Sequence, residues 1–222
     1  MSYDKNIVKK PWGYEYLMYE NDRVALWFLH IKKGERTSMH CHPNKTTGLM
    51  LLDGEVEVSF LSNVNKLNPS SKIMIRKGLF HSTRAISDGG AHVLEIETPV
   101  DKQDLVRLQD SYGREGKPYE DSTHEYPREN ECVWLSEPEK GKKIEYRLDN
   151  SGLSLYNIES VKFFNSLDNE VNVMFLKGGI ITDYGVNVAA AGDVVNVSIL
   201  KKLIDIFHKL EDDTIIMIMD KK

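Results

Sequence analysis

The sequence is poor in cysteine: Cys41 and Cys132 are the only two among 222 residues, and they stand far apart without a CxxC or other paired spacing. A disulfide framework is therefore not expected, and both thiols are read as reduced. Long apolar runs are missing too. No stretch approaches the roughly 20 residues that span a bilayer, and Met1 to Pro11 is polar, without the apolar core of a signal peptide. Positive charge is in deficit, with 29 Lys and Arg against 34 Asp and Glu for a net charge of -5. That balance offers no field for phosphate backbones or anionic lipid, so neither nucleic acid nor a membrane is expected as a partner. A cytoplasmic protein is the expectation. In that compartment the glycosylation-like tripeptides Asn44-Lys45-Thr46 and Asn196-Val197-Ser198 have no meaning. No internal repeat occurs. The glycine- and alanine-rich stretches Lys177-Gly178-Gly179 and Ala189-Ala190-Ala191-Gly192-Asp193 match neither a P-loop nor a dinucleotide fingerprint, and are read as turns.

What is present is β pattern. Val24–Ile31, Gly48–Leu52, Glu55–Phe60, Lys72–Ile75 and Ala91–Glu97 are short apolar or alternating runs broken by turn residues, the signature of an all-β sandwich or barrel. In Glu55 to Phe60 alternation puts Val56, Val58 and Phe60 on one face and both glutamates on the other. Between Gln103 and Pro138 the composition turns charged, aromatic and proline-bearing, which reads as a connector. Two domains are expected, 1–119 and 120–222, the second a smaller α/β domain of unknown role. In that second part Lys143–Leu148, Leu153–Ile158, Val161–Phe164, Val171–Leu176 and Ile180–Val188 again predict strands. Ser198 to Leu210 carries apolar residues at helical spacing, with Asn196 or Ser198 as cap, and Thr214–Met219 predicts a strand covered on both faces.

The chemistry is concentrated in Gly34 to Gly54. On a strand, His40 and His42 project to one face about 7 Å apart along the chain, so both imidazoles can reach one ion if that face is interior. His81, in Gly78-Leu79-Phe80-His81, supplies a third. Three imidazoles on a concave β scaffold suit a first-row transition metal, with zinc, manganese, nickel and iron as candidates. Cys41, between the two histidines, is turned away by alternation, and His30 is read as a wall residue. Two hydrogen-bonded histidines on one strand are the plainer account of an HxH pair.

The glycine framing of this segment, with the later Gly-x-x-His, resembles the two signature motifs of the cupin superfamily, whose fold is a double-stranded β-helix jelly roll. Lys10-Pro11-Trp12-Gly13-Tyr14-Glu15, the HxH segment and Asp104-Leu105-Val106-Arg107-Leu108-Gln109-Asp110-Ser111-Tyr112-Gly113-Arg114 resemble the opening, centre and close of the cupin domain of type II mannose-6-phosphate isomerases. That domain is often fused behind a mannose-1-phosphate guanylyltransferase. The resemblance covers about residues 9 to 115. It departs from the family pattern at three positions: His40 stands for a glutamine, Thr47 for a metal-binding glutamate, and Arg76 for a proline.

The resemblance implies a metal-dependent isomerase or epimerase acting on a sugar phosphate or nucleotide sugar for surface polysaccharide, working as a homodimer. In that reading His40, His42 and His81 hold the metal, and Lys45 and Arg84 bind a phosphate. Glu95 and Glu97, sharing one face of the last strand opposite Leu94 and Ile96, are candidate bases if that face is interior; the competing expectation leaves both solvated. Trp12 and Tyr14 are read as packing residues, and Tyr112 and Arg114 as fastening the connector. Without the glutamate, the three-histidine set also resembles the iron site of thiol dioxygenases. A catalytically silent sugar-binding module is the third reading, with Thr47 marking a decayed site.

Overall fold

The computed structural model describes residues 5–119, 124–125, 132–148 and 151–220. The chain divides into two compact units, residues 1–134 and 135–222. The domain junction expected after residue 119 abuts residues 120–123, outside the described ones. Residues 132–134 belong to the first unit, where the Tyr16 hydroxyl accepts the Val133 N–H at 3.3 Å and its ring meets Trp134 with centroids 6.2 Å apart.

The first unit runs β1 (Ile7–Lys10), β2 (Gly13–Glu20), β3 (Ala25–Ile31), β4 (Met39–Cys41), β5 (Thr46–Asp53) and β6 (Val56–Phe60). It continues with β7 (Val64–Leu67), β8 (Lys72–Ile75), β9 (His81–Ala85), β10 (Ala91–Thr98), β11 (Val106–Gln109) and β12 (His124–Glu125). One sheet has the order β12-β1-β2-β3-β10-β5-β8 and the other β11-β4-β9-β6-β7, with antiparallel pairing throughout. From β3 to β6, and again from β7 to β11, each successive strand changes sheet. Inward residues from both sheets make one core: Trp27, Leu49 and Ile75 from the first meet Val56, Val58 and Ala85 from the second. Burying such side chains contributes about 1.5–3 kcal/mol each, the main favourable term in forming the layers. At Asp53-Gly54 the chain turns with Gly54 at φ 81°, and a Cβ there would fall 2.3 Å from the Gly90 carbonyl oxygen. Only glycine fits.

The second unit is also mainly β. Its strands are β13 (Lys143–Leu148), β14 (Ser151–Ile158), β15 (Asn172–Lys177), β16 (Gly179–Ile181), β17 (Asn187–Ala190), β18 (Val194–Asn196), β19 (Lys209–Leu210) and β20 (Thr214–Asp220). They form sheets ordered β13-β14-β20-β15-β18 and β17-β16-β19. β20 lies between two neighbours with Ile215, Ile216 and Met217 fully buried, as its unbroken apolar run predicts. The helix, α1 (Val197–Ile204), starts where Asn196 Oδ1 accepts the Ser198 N–H at 3.0 Å. It ends earlier than the apolar spacing predicts, because Leu210 pairs with Ile180 in a sheet instead of extending the helix. Val161–Phe164, predicted as a strand, falls in a 3₁₀ turn over Val161–Ser166, for Ser160 Oγ accepts the Lys162 N–H and its carbonyl the Phe163 N–H. Among the described residues no helix is long and apolar enough to cross a membrane.

Candidate metal centre

The site begins with β4 and β9, neighbours in the smaller sheet that place His40 directly opposite His81. His42 follows one step beyond β4 on the same face. The three rings gather with centroids 4.4 Å (His40–His81), 5.0 Å (His40–His42) and 5.5 Å (His42–His81) apart. One ring nitrogen from each lies within 4.8 Å of the other two.

Backbone carbonyls set the tautomers. Nδ1 of His40 faces the Ser38 carbonyl at 2.7 Å, that of His42 the Asp104 carbonyl at 2.6 Å, and that of His81 the Leu79 carbonyl at 3.0 Å. A carbonyl only accepts, so each Nδ1 carries the proton and each Nε2 presents a lone pair, which orients an imidazole for metal binding. Burial, then its two imidazole neighbours, holds His40 well below the ordinary histidine range. Burial, then Lys45, lowers His42, and burial lowers His81 to about 4. All three are neutral at pH 7, as ligands must be. The His42 Nε2 is buried and has no hydrogen-bond partner among the described residues, so the donor set fits a divalent transition metal on an observation independent of spacing.

Across from the imidazoles stands β10. Glu95 and Glu97 are 8% and 1% exposed, so the solvated alternative is not what the fold adopts. Leu94 and Ile96 are buried as well, because β10 lies between β3 and β5 and is covered on both faces. Glu95 Oε1 is 3.9 Å from His42 Nε2, and His42, Glu95 and Glu97 make a second group able to hold a cation. Burial, and then the charge of Glu97, pushes the Glu95 carboxyl up toward neutrality. Glu97 is also penalised by burial, but Lys102 and Lys45 outweigh that and hold it ionised.

His40, His42, Glu95 and Glu97 line a small cavity open to solvent. Five cations (Lys10, Lys45, Lys102, Arg107 and Arg114) and three carboxylates (Glu15, Glu95 and Glu97) line it, together with apolar walls that include Trp12. Lys45 sits here with 1% exposure, but its Nζ is 2.8 Å from Glu97 Oε1, so its charge is matched inside the protein. Arg84, expected beside it, does not line the cavity. On β9 alternation turns its side chain away from the His81 face, and its Nε donates to the Gly34 carbonyl at 3.3 Å. Lys102, Arg107 and Glu15 were not singled out by the sequence. Lys102 Nζ lies 3.7 Å above the Trp27 ring and 3.3 Å from Glu15, which also accepts the Tyr119 hydroxyl. No local motif marks such a group, since its partners come from β2, β3 and the segment after β10. Tyr112 does fasten the connector, donating to the Glu35 carboxylate at 2.5 Å.

Antiparallel strands that change sheet at nearly every step, with imidazoles from β4 and β9 facing the space between sheets, make a double-stranded β-helix. The first unit is such a β-helix jelly roll. No protein-family model matches the chain. A curated relative, a mannose-1-phosphate guanylyltransferase of Sinorhizobium fredii, is 25% identical over 103 residues, which is 46% of this chain and 20% of the relative. The chain thus spans a fifth of that protein's length in the match. Among solved structures, a double-stranded β-helix protein of Klebsiella pneumoniae is similar at 14% identity and TM-score 0.43, over 50% of this chain and 96% of that one. The capsular polysaccharide assembling protein CapF of Staphylococcus aureus is similar at 16% identity and TM-score 0.42, over 47% and 34% of the two chains.

Proposed function

We propose that the cupin unit is a metal-dependent isomerase or epimerase acting on a sugar phosphate or nucleotide sugar. The observation that carries this reading is the pairing of three neutral imidazoles, each with Nε2 free of its tautomeric proton, with a buried carboxyl, Glu95, 3.9 Å from one of them. Isomerisation between adjacent carbons needs a Lewis acid at a carbonyl and a group that takes and returns a proton. His40, His42 and His81 are the residues to hold a divalent transition metal, which when bound polarises that carbonyl. Glu95 moves the proton: its carboxyl lies near neutrality, so both protonation states are accessible at working pH. Glu97 stays ionised against Lys45 and Lys102 and keeps the Glu95 proton affinity high.

With Arg114 paired to Asp110 and Glu95 near neutrality, the lining still carries more positive than negative charge, which favours an anionic substrate. The sugar-phosphate chemistry named for the Sinorhizobium relative agrees with that sign. A three-histidine iron dioxygenase uses the same imidazoles, but gives no role to a carboxyl at Glu95 or to a cationic lining. A silent binding module leaves the buried His42 Nε2 without purpose. The test is elemental analysis of untagged protein, followed by NMR of sugar phosphates and nucleotide sugars incubated in D₂O. Near-stoichiometric zinc, manganese or nickel is expected, with deuterium entering carbon next to the carbonyl, and with Glu95→Gln keeping the metal but losing the exchange. Bound iron with oxygen uptake, or a metal-loaded protein that exchanges none of the panel, overturns the proposal.

A further inference from the structure

The segment that follows β10 contributes Lys102 and Leu105 to the cavity lining, and its Asp104 bonds directly to a ring of the metal centre. Its backbone carbonyl takes the Nδ1–H of His42 at 2.6 Å. Its carboxylate takes the N–H groups of Asn44 and Lys45, each at 2.9 Å, and the Asn44 side-chain amide at 3.0 Å. Those bonds reach the turn that immediately follows His42 and opens β5. Pro43 has no N–H, so Asn44 and Lys45 carry the first two donors of that turn, and both converge on Asp104 Oδ2. Asp104 is itself buried, and its N–H is fixed on the Asp101 carbonyl at 3.2 Å. One residue therefore grips the His42 ring from one side and the chain beyond it from the other.

We propose that Asp104 is the positioning residue of the metal centre, setting the His42 tautomer and ring direction through its carbonyl and holding that carbonyl in place by clamping the 43–45 turn with its carboxylate. The proposal rests on the reading of His40, His42 and His81 as metal ligands. The charge-assisted bonds to two backbone donors fix the distance between the segment after β10 and the ligand strand, and the carbonyl can orient the ring only while that distance holds. The Nδ1 partners of His40 and His81 lie two residues away in their own strand regions. Among the described residues, only the Nδ1–H of His42 is held by a part of the chain some sixty positions away. The same turn carries Lys45, so the clamp also places the ammonium that partners Glu97.

The test uses the full chain with Asp104→Ala and Asp104→Asn, each checked by circular dichroism and thermal melting. Asparagine keeps one acceptor oxygen and is the milder change, which keeps the question open to test should alanine unfold the protein. Two readouts apply. Co²⁺ titration followed by its visible absorption gives metal affinity, and long-range ¹H–¹⁵N NMR of the metal-free protein reports the tautomer of each histidine. Loss of an outer hydrogen-bond partner of this kind lowers metal affinity by about 10–100-fold. The expected result is a fall in that range for alanine, a smaller one for asparagine, and loss of the fixed Nδ1–H form at His42 alone. Co²⁺ affinity within twofold of the parent in a folded variant, with His42 still held as the Nδ1–H form, overturns the proposal. If the parent chain binds no Co²⁺, the metal reading fails, and the tautomer spectrum alone then decides whether Asp104 positions His42.

Discussion

Replacing Lys45 by methionine separates two roles for a lysine in this cavity: a solvent-facing phosphate binder or one half of an internal ion pair. Lys45 is 1% exposed, and its Nζ lies 2.8 Å from Glu97 Oε1. Methionine keeps most of the aliphatic stem, so the change isolates the charge. With an effective dielectric constant near 20, two unit charges at about 4 Å attract by about 4 kcal/mol, and breaking a buried pair by removing one member costs about 3–5 kcal/mol. Lys102, 3.9 Å from the same Glu97 oxygen, remains in the variant and offsets part of the loss. The expected destabilisation is therefore at the low end, about 3 kcal/mol, against a total stability of about 5–15 kcal/mol for an ordinary domain.

Urea unfolding followed by tryptophan fluorescence is the assay, because Trp12, Trp27 and Trp134 all lie in the first unit and report on it alone. The double variant Lys45→Met/Glu97→Gln removes both charges, and the cycle should return a coupling of about 2 kcal/mol or more. Glu97 in the parent is held below the ordinary glutamate range, so its stabilisation is present above that range and is lost as pH falls through it. The deficit of Lys45→Met should accordingly be largest near pH 7 and shrink on acidification, when Glu97 of the variant takes up a proton. A cost below 1 kcal/mol, or additivity of the two single changes, refutes the internal pair and returns Lys45 to the pool of substrate ligands.

The remaining expectations concern the imidazoles and one turn. His40→Ala/His42→Ala should abolish stoichiometric metal in elemental analysis while leaving the circular dichroism of the β sheets intact; metal at the parent level in this variant sinks the site. In the presence of a chelator, acid should destabilise the first unit. His81 is lowered from 6.5 to about 4, so the unfolded chain takes up its proton first and about 3 kcal/mol is lost between pH 6.5 and 4. Urea midpoints of Glu95→Gln at pH 7.5, 5.5 and 4.5 check this, since that change removes the opposing proton uptake of the raised Glu95 carboxyl in the folded chain, and a flat profile contradicts it. Gly54→Ala, at φ 81° with its new Cβ 2.3 Å from the Gly90 oxygen, should cost about 1–3 kcal/mol in the same assay. A neutral or stabilising result there contradicts the turn geometry.

The histidines were legible because the rule that exposes them is local. Strand alternation puts His40 and His42 on one face whatever the rest of the chain does, and the register that sets His81 opposite His40 only completes the set. Turn glycines and the apolar run of β20 are legible for the same reason. Val161–Phe164 reads as a strand because three apolar residues in four look alike in a strand and in a 3₁₀ turn, and the deciding group, the Ser160 hydroxyl cap, is one residue outside the run.

The carboxylates of β10 are legible as candidates, but which way their face points is not, for a different reason. Glutamates alternating with leucine and isoleucine describe a strand with one wet face, and the pattern carries no record that β3 and β5 flank it on a cavity side. What makes a buried Glu97 tolerable is Lys45, some fifty positions before it, and Lys102, which reaches back from beyond the strand. A buried charge is stable only with its partner, so its position is a property of the pair and cannot be read from either member. Asp104 is the extreme case. In sequence it opens the closing stretch of the resemblance with no role attached to it, and its effect on the site passes through a backbone carbonyl, which every residue possesses. Candidate ligand residues are thus readable by their type. The residue that aims a ligand is visible only once the chain has closed on itself, and its side chain is conspicuous only for what it holds in place.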